Sequence, residues 1–268
     1  MLKNAKNGQV ALDDTTMSYA AIGHGEKVLV VLPGLSDGLA TVRGKALLLA
    51  APYRKYFDQF TVYMFSRKDR MPSGYTICQM AEDQARAIDI LGLKKVSVMG
   101  VSEGGMIAQC LAIDYPEMVE KLVIAVSAPN VNQLIRECVC RWIDFANRKD
   151  HKQLMIDTAE KSYSEHYLKK YRAMYPVLGL LGKPADYSRF LVNANAILSF
   201  DVEGELKKIN CPTLIIGGSD DKIVGAEASY EMQKQINNSE LYVYPGLGHA
   251  AYEEAPDFYD RVFRFLKA

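Results

Sequence analysis

The chain has 268 residues, of which 49% are hydrophobic and 24% charged, as in ordinary globular proteins. Basic and acidic residues number 32 each, so the net charge is zero and gives no electrostatic support for a nucleic-acid or anionic-membrane partner. The opening residues MLKNAKNGQV contain no apolar signal-peptide core, and no stretch approaches the ~20 apolar residues of a membrane span. We therefore expect neither secretion nor a membrane anchor.

The five cysteines are odd in number and lie in apolar patterns: Cys78, Cys110, Cys138, Cys140 and Cys211. Reduced thiols in a cytoplasmic protein are the simplest interpretation. Cys138 and Cys140 form a C-x-C pair, but there is no second pair and no histidine at zinc spacing nearby. Core packing is the expected role of this pair, and we expect no metal site.

Up to residue 91 the pattern predicts two short antiparallel strands, two further strands and an amphipathic helix. These elements are Gln9–Leu12, Thr16–Ile22, Lys27–Leu32, Phe60–Phe65 and Tyr75–Leu91. The two antiparallel strands would turn at Asp13-Asp14.

The stretch Lys94–Asp114 predicts a buried strand, a tight turn and a helix. The turn, Gly100 to Gly104, has the pattern G-x-S-x-G. A turn this sharp strains the backbone of Ser102, and glycines at both ends remove Cβ atoms that would collide. The serine Oγ would then project above the sheet beside a helix N-terminus. The alternative is a glycine-rich turn with a solvated serine.

After a strand at Lys121–Val126, residues 130–205 predict helices without a strand. Strands resume at Thr213–Ile216 and Leu241–Tyr244, and a helix at Pro256–Leu266 follows. This alternation predicts an α/β fold with a mostly parallel, doubly wound sheet. We expect residues 1–129 and 206–268 to form its core and residues 130–205 an inserted helical cap.

Ligands of such sheets bind at the carboxyl ends of the strands, and the remaining candidate groups fall there. His249 follows the last predicted strand and is the candidate base for Ser102. His24 lies in a turn, and His151 and His166 belong to the predicted insertion. Two adjacent aspartates, Asp220 and Asp221, follow the strand Thr213–Ile216, and one of them would orient the histidine.

The negative oxygen formed when Ser102 attacks a carbonyl needs backbone N–H donors. One donor would be Glu103, the residue after the nucleophile. The other would be Leu35, in the loop that follows Lys27–Leu32.

Four segments together resemble the α/β-hydrolases that carry a helical cap: LPGLSDG (32–38), GVSEGG (100–105), GGSDDKIV (217–224) and PGLGHAAYEEAPDFY (245–259). The order serine, aspartate, histidine is that of the family. The family's G-x-x-D pattern aligns with Asp221 and favours it over Asp220. The resemblance implies a carboxylesterase-like serine hydrolase that needs no cofactor and acts on a small ester, thioester or lactone. Relatives with an aspartate nucleophile, such as haloalkane dehalogenases, are disfavoured by Ser102.

Two positions depart from the family pattern. Pro33-Gly34 stands where many relatives have His-Gly, and residue 103 is a glutamate rather than an apolar or amide residue. A carboxylate that faced the pocket would disfavour anionic substrates. We expect instead that Glu103 turns away and acts as a helix-start acid, which the helix dipole favours.

The substrate is less well defined than the site. The same triad also serves hydrolysis of carbon–carbon bonds, amides and N-terminal proline peptides, and perhydrolysis, and a ligand receptor without turnover is a further alternative. A small-molecule substrate is expected, and a homodimer is compatible with the sequence. The stripe Tyr163, Tyr167, Tyr171 and Tyr175 could line a pocket, although packing is favoured. Arg43, Arg67 and Arg70 could bind a substrate carboxylate, although solvation is favoured for each.

Overall fold

The computed structural model describes residues 4–180 and 182–268. Within these residues, eight strands form one sheet in the order β1-β2-β4-β3-β5-β6-β7-β8. The strands are β1 Lys6–Leu12, β2 Thr15–Gly23, β3 Lys27–Leu32, β4 Phe60–Lys68, β5 Val96–Val101, β6 Val119–Ala125, β7 Thr213–Gly218 and β8 Ser239–Tyr244. Neighbours from β4 to β8 pair in parallel, and β1 and β2 are antiparallel additions at one edge. The predicted α/β fold with a mostly parallel sheet is therefore confirmed.

The helices cover both faces of this sheet. They are α1 Ala46–Leu49, α2 Ile77–Ile90, α3 Glu103–Asp114, α4 Gln133–Asn147, α5 His151–Ser162, α6 Glu165–Tyr171, α7 Tyr175–Leu178, α8 Ser188–Leu198, α9 Ala226–Gln235, α10 Ala251–Glu254 and α11 Phe258–Lys267. One buried cluster contains Val98, Ile107 and Leu111 and extends towards α8, while a second contains Leu29, Phe60 and Phe258 on the other face. Continuous apolar strands such as β3 are buried because both faces are covered.

The register of the strands determines which loops meet at their carboxyl ends. Leu32 pairs with Gly100, so the loop after β3 lies beside the turn after β5. Gly218 pairs with Tyr244, so the loops after β7 and β8 are also neighbours. The four loops that carry the candidate residues therefore lie at one edge of the sheet.

Helices α4 to α8 fall between β6 and β7, within the segment predicted as a cap. We call residues 130–205 the helical insertion. The prediction of a single helix from Lys152 to Tyr171 is wrong: α5 ends at Ser162 and α6 begins at Glu165. Ser164 is the N-cap of α6, and its side chain accepts a hydrogen bond from the Tyr167 N–H. This cap stabilises a new helix start and so separates α6 from α5.

The helical insertion contacts the loops at the edge of the sheet. The Asn132 side chain donates to the Val224 carbonyl at 2.7 Å, and the Ala250 N–H donates to the Ser162 carbonyl at 2.8 Å. The Ser164 N–H also donates to Glu254 at 2.9 Å. The division of the chain into a core of residues 1–129 and 206–268 and a cap stays a prediction; residues 1–3 and 181 of these ranges lie outside the described part.

Cys78 and Cys110 form a disulfide between α2 and α3, with Cα atoms 5.3 Å apart. The expectation that the cysteines are all reduced is therefore wrong for this pair. The two helices pack side by side, which brings distant residues within the Cα separation of a disulfide. The inference of a cytoplasmic location loses its support from these two residues. Cys138 is a buried free thiol, as packing predicts, whereas Cys140 is exposed.

Among the helices in the described part of the chain, none has the length and apolar character required to cross a membrane.

Candidate active site

The turn between β5 and α3 holds Ser102 in a strained conformation, with φ 56° and ψ −121°. A Cβ at Gly100 would lie 2.2 Å from the Gly104 carbonyl oxygen, and one at Gly104 would lie 2.0 Å from the Leu32 carbonyl oxygen. Only glycine fits at either position. The Ser127 hydroxyl donates to the Ser102 carbonyl at 2.8 Å and helps to hold the turn.

His249 lies against the serine. Its Nε2 is 2.9 Å from Ser102 Oγ, a hydrogen-bond distance. The histidine follows β8 in a loop whose Leu247 carbonyl accepts from the Asp220 N–H at 2.9 Å. The loops after β7 and β8 thus hold each other, and His249 is 7% exposed.

Asp221 lies on the other side of the imidazole, with Oδ2 2.8 Å from His249 Nδ1. Its Oδ1 accepts the N–H groups of Ile223 and Val224 at 2.8 and 3.0 Å. Burial alone would raise the pKa of Asp221, but the His249 imidazole and these hydrogen bonds outweigh it and lower the pKa. The carboxylate therefore stays ionised and can stabilise a positive charge on the imidazole.

The structure distinguishes Asp221 from its neighbour. Asp220 is exposed and accepts a hydrogen bond from the Ser219 hydroxyl at 2.7 Å. Of the other histidines, His24 is at the surface near Asp58, His166 is exposed on α6, and His151 is buried at the start of α5. The structure thus brings Ser102, His249 and Asp221 together as a hydrogen-bonded chain.

The loop after β3 lies directly beside the serine. A Cβ at Gly34 would be 3.2 Å from Ser102 Cβ and 3.7 Å from its Oγ. Leu35 begins a short 3₁₀ turn, Leu35–Gly38. Glu103 is the first residue of α3, and the first N–H groups of a helix have no partner within that helix. Both N–H groups proposed as oxyanion donors therefore belong to segments that flank Ser102, and their use as donors stays a prediction.

The Glu103 side chain has a partner that the sequence did not reveal. It starts α3, as expected, but its side chain is completely buried, and Oε2 lies 2.9 Å from Arg67 Nη2. Within the described part of the chain, neither the Arg67 guanidinium nor the Glu103 carboxylate forms a side-chain hydrogen bond, so the contact between them is an ion pair. Burial raises the pKa of Glu103 to about 7, although Arg67 opposes the rise. The expectation of a solvated Arg67 is wrong, since its side chain is 1% exposed.

Two further residues missed by the sequence analysis join this pair. Asp37 Oδ2 accepts the Arg67 N–H at 3.0 Å and the Arg189 Nη2 at 2.7 Å. No local motif distinguishes them, because Asp37 is one acid in a loop and Arg189 one base in a helix. By contrast, Arg43 and Arg70 are exposed, as expected.

Three tyrosines of the stripe, Tyr163, Tyr167 and Tyr171, form a stack. The rings of Tyr163 and Tyr167 are 4.5 Å apart, and those of Tyr167 and Tyr171 are 4.4 Å apart. The Tyr163 hydroxyl donates to Glu253 on α10 at 2.5 Å, and the Tyr175 hydroxyl donates to Glu160 at 3.0 Å. The stack therefore helps to fix the helical insertion to the segment after His249.

The sheet order, the turn that carries the serine and the loops that flank it define an α/β-hydrolase. The family model described as serine aminopeptidase, S33, matches residues 77–256, which is more than half of the chain. The chain belongs to this family of hydrolases.

Individual relatives are distant. A putative carbamate hydrolase RutD of Caulobacter sp. (strain K31) is 24% identical over 245 residues, which are 87% of this chain and 89% of the relative. A 2-hydroxy-6-oxononadienedioate/2-hydroxy-6-oxononatrienedioate hydrolase 2 of Pseudomonas putida is 26% identical and covers 95% of this chain and 92% of the relative. The crystal structure of MGS-M2, an alpha/beta hydrolase enzyme from a Medee basin deep-sea metagenome library, superposes with a TM-score of 0.83 at 20% identity, over 97% of this chain and 98% of that one. The structural match supports the fold alone.

Proposed function

We propose that this protein is a carboxylesterase-like serine hydrolase that cleaves a small ester, thioester or lactone through an acyl-enzyme on Ser102. The observation that carries the proposal is the hydrogen-bonded chain from Ser102 Oγ to His249 Nε2 at 2.9 Å and from His249 Nδ1 to Asp221 Oδ2 at 2.8 Å. A serine hydroxyl becomes a useful nucleophile when such a base accepts its proton.

In the acylation step, Ser102 Oγ attacks the acyl carbon while His249 Nε2 takes the hydroxyl proton. Asp221 holds the tautomer with a proton on Nδ1 and stabilises the imidazolium that forms. The N–H groups of Leu35 and Glu103 receive the negative charge that develops on the carbonyl oxygen. The bond to the leaving group then breaks, and His249 transfers its proton to the departing alkoxide or thiolate.

Deacylation repeats these roles with water. His249 takes a proton from the water, whose oxygen attacks the acyl carbon and forms the second oxyanion at the same N–H donors. Collapse of this intermediate breaks the bond to Ser102 Oγ, and His249 returns the proton to the serine. The residues present account for each proton transfer in this sequence.

A second candidate activity comes from the distant relatives. By their names, one relative hydrolyses carbamates and the other hydrolyses 2-hydroxy-6-oxononadienedioate or 2-hydroxy-6-oxononatrienedioate. Both align with most of this chain. The same fold and triad can host such reactions, because the fold does not determine the substrate. Carbamate or carbon–carbon bond hydrolysis is therefore the alternative that a substrate panel must include.

The experiment that tests the proposal is labelling with a fluorophosphonate probe followed by intact-mass measurement. We expect one adduct on the parent protein and none on Ser102→Ala, because only an activated serine reacts. A panel of p-nitrophenyl esters, a thioester, a lactone, a carbamate and a vinylogous diketone then separates the reaction classes. A folded parent protein without an adduct would contradict the proposal and favour a ligand receptor.

A further inference from the structure

A cluster of four charged side chains lies buried beside the proposed oxyanion donors. It contains Asp37, Arg67, Glu103 and Arg189, whose side chains are 0%, 1%, 0% and 17% exposed. We call this group the charged cluster. Buried charges are costly unless they are well paired, so such a group is weak evidence for a gain in stability. A role in specifying how the surrounding segments are arranged is better supported.

Arg189 connects the helical insertion to the loop after β3 and to the end of β4. From α8 its Nη2 donates to Asp37 Oδ2 at 2.7 Å, and its Nε donates to the Asp37 carbonyl at 3.2 Å. It also donates to the carbonyls of Lys68 and Arg67, at 2.7 and 2.8 Å. A guanidinium is a rigid fork of donors, so these four hydrogen bonds fix the loop after β3 and the end of β4 relative to α8.

Asp37 transmits this constraint to the first proposed oxyanion donor. Its N–H donates to the Gly34 carbonyl at 3.1 Å. That carbonyl and the Leu35 N–H belong to the same planar peptide unit, so holding one fixes the direction of the other. Because Asp37 is held from both sides, by Arg189 and by the Arg67 N–H, the direction of the Leu35 N–H depends on the cluster.

The second donor is held by the same group. The second proposed oxyanion donor is the backbone N–H of Glu103, and the carboxylate of this residue lies 2.9 Å from Arg67 Nη2. Arg67 Nη1 in turn lies 4.0 Å from Asp37 Oδ2. The segments that flank Ser102 are thus linked to each other through Arg67 and to the helical insertion through Arg189.

We propose that Arg189 and Asp37 are positioning residues for the oxyanion hole, so that helix α8 of the insertion sets the geometry in which Ser102 reacts. This inference rests on the proposed function. Oxyanion donors act because they are preorganised, and small displacements of them reduce the rate strongly. Loss of the Arg189–Asp37 pair should therefore reduce the stabilisation of the transition state more than the affinity of the initial complex.

A purely structural role for Arg189 makes a different prediction. It would lower the unfolding temperature without changing the intrinsic reactivity of Ser102 in the folded protein. The rate of the chemical step and the affinity of the first complex must therefore be measured separately, which a saturable fluorophosphonate probe allows.

The experiment compares the maximal labelling rate and the half-saturating probe concentration in Arg189→Gln, Asp37→Asn, the double variant and Arg189→Lys. We expect the maximal rate to fall about 10- to 100-fold in both single variants, with the half-saturating concentration little changed. The maximal labelling rate of the double variant should be no lower than that of the more impaired single variant, since the two residues act as one pair. Arg189→Lys should recover part of the rate, because an ammonium reaches fewer of the four acceptors.

The matched control is Arg172→Gln. Arg172 also lies in the helical insertion and binds two acids, Glu160 and Glu165, but at its exposed surface. It should label like the parent protein. Labelling of Arg189→Gln and Asp37→Asn at the control rate, or a change confined to the half-saturating concentration, would overturn the inference.

Circular dichroism and thermal unfolding establish that each variant is folded. If Arg189→Gln does not fold, Asp37→Asn decides the question, since it preserves the shape of the Asp37 side chain, and Arg189→Lys, which keeps the positive charge, gives a second measurement. A parent protein that is not labelled at all would overturn the proposed function together with this inference. A labelled parent protein with unaffected variants would overturn this inference alone.

Discussion

Asp221 turns one carboxylate oxygen towards His249 Nδ1, at 2.8 Å, and uses the other to hold its own loop. The Oδ1 atom accepts the N–H groups of Ile223 and Val224, which fixes the direction in which Oδ2 points. The carboxylate is thus oriented before any substrate binds. This arrangement separates Asp221 from the neighbouring Asp220, although both follow the same strand.

Asp221→Asn should lower kcat about 10⁴-fold, by analogy with the corresponding substitution in the chymotrypsin triad, where the wrong histidine tautomer is stabilised. The measurement is kcat for a p-nitrophenyl ester that the parent protein hydrolyses. Asp220→Asn is the control, and we expect its kcat to equal that of the parent protein because Asp220 is exposed and bonded to Ser219. Full activity of Asp221→Asn, or an equal loss in both variants, would contradict the assigned role.

Gly104→Ala should destabilise the turn that carries Ser102. The added Cβ would lie 2.0 Å from the Leu32 carbonyl oxygen, a backbone atom of a central strand that cannot move aside. We expect a loss of at least about 1–3 kcal/mol in the free energy of unfolding, the usual cost of forcing atoms into a packed interior.

Urea unfolding measures this loss, and Gly204→Ala is the control. A Cβ at Gly204 meets no atom within 4 Å, and its φ lies outside the left-handed region. Its unfolding midpoint should stay near that of the parent protein. Equal midpoints for the two variants would show that the close approach at Gly104 does not exist in solution.

Much of the fold could be predicted because buried parallel strands are continuous apolar runs. The predicted bounds of Lys27–Leu32 are those of the structure. The order of the strands and the G-x-S-x-G turn then place Ser102, Asp221 and His249 at one edge of the sheet. By contrast, spacing alone leaves Asp220 and Asp221 open, because adjacent residues follow the same strand and only loop hydrogen bonds select between them.

Contacts between distant parts of the chain could not be predicted. The periodicity of residues 152–171 indicates one helix, yet Ser164 breaks it while its N–H donates to Glu254, far along the sequence. The partner of Glu103 is Arg67, at the end of another strand. No local pattern encodes either contact, because both depend on how the elements pack.

The buried carboxyl of Glu103 should make stability depend on pH. Its pKa rises from 4.5 to about 7 in the folded protein, so between these values the folded chain binds more protons than the unfolded chain. The contribution of this group to the free energy of unfolding is therefore complete below pH 4.5 and is lost as the pH rises through about 7. The loss is on the order of 3 kcal/mol, at 1.36 kcal/mol for each pKa unit.

Glu103→Gln removes this contribution, so its stability relative to the parent protein should rise as the pH increases across that window. Urea unfolding at a series of pH values measures the difference. The control is Glu227→Gln, the same change at a glutamate in the first turn of α9 that is not buried. A constant difference between Glu103→Gln and the parent protein at all pH values would contradict the raised pKa.

The disulfide between Cys78 and Cys110 can be tested by counting thiols. Five cysteines less the two that are bonded leave three, so alkylation of the denatured protein should add three groups without reductant and five after reduction. Reduction should also lower the free energy of unfolding by about 3–4 kcal/mol, because the bond closes a loop across a sequence separation of 32 residues. Cys140→Ser, at an exposed free cysteine, should keep the full response to reductant, whereas Cys78→Ser should lose it. Five alkylated cysteines before reduction would show that the protein carries this pair as free thiols and would restore the expectation of a fully reduced chain.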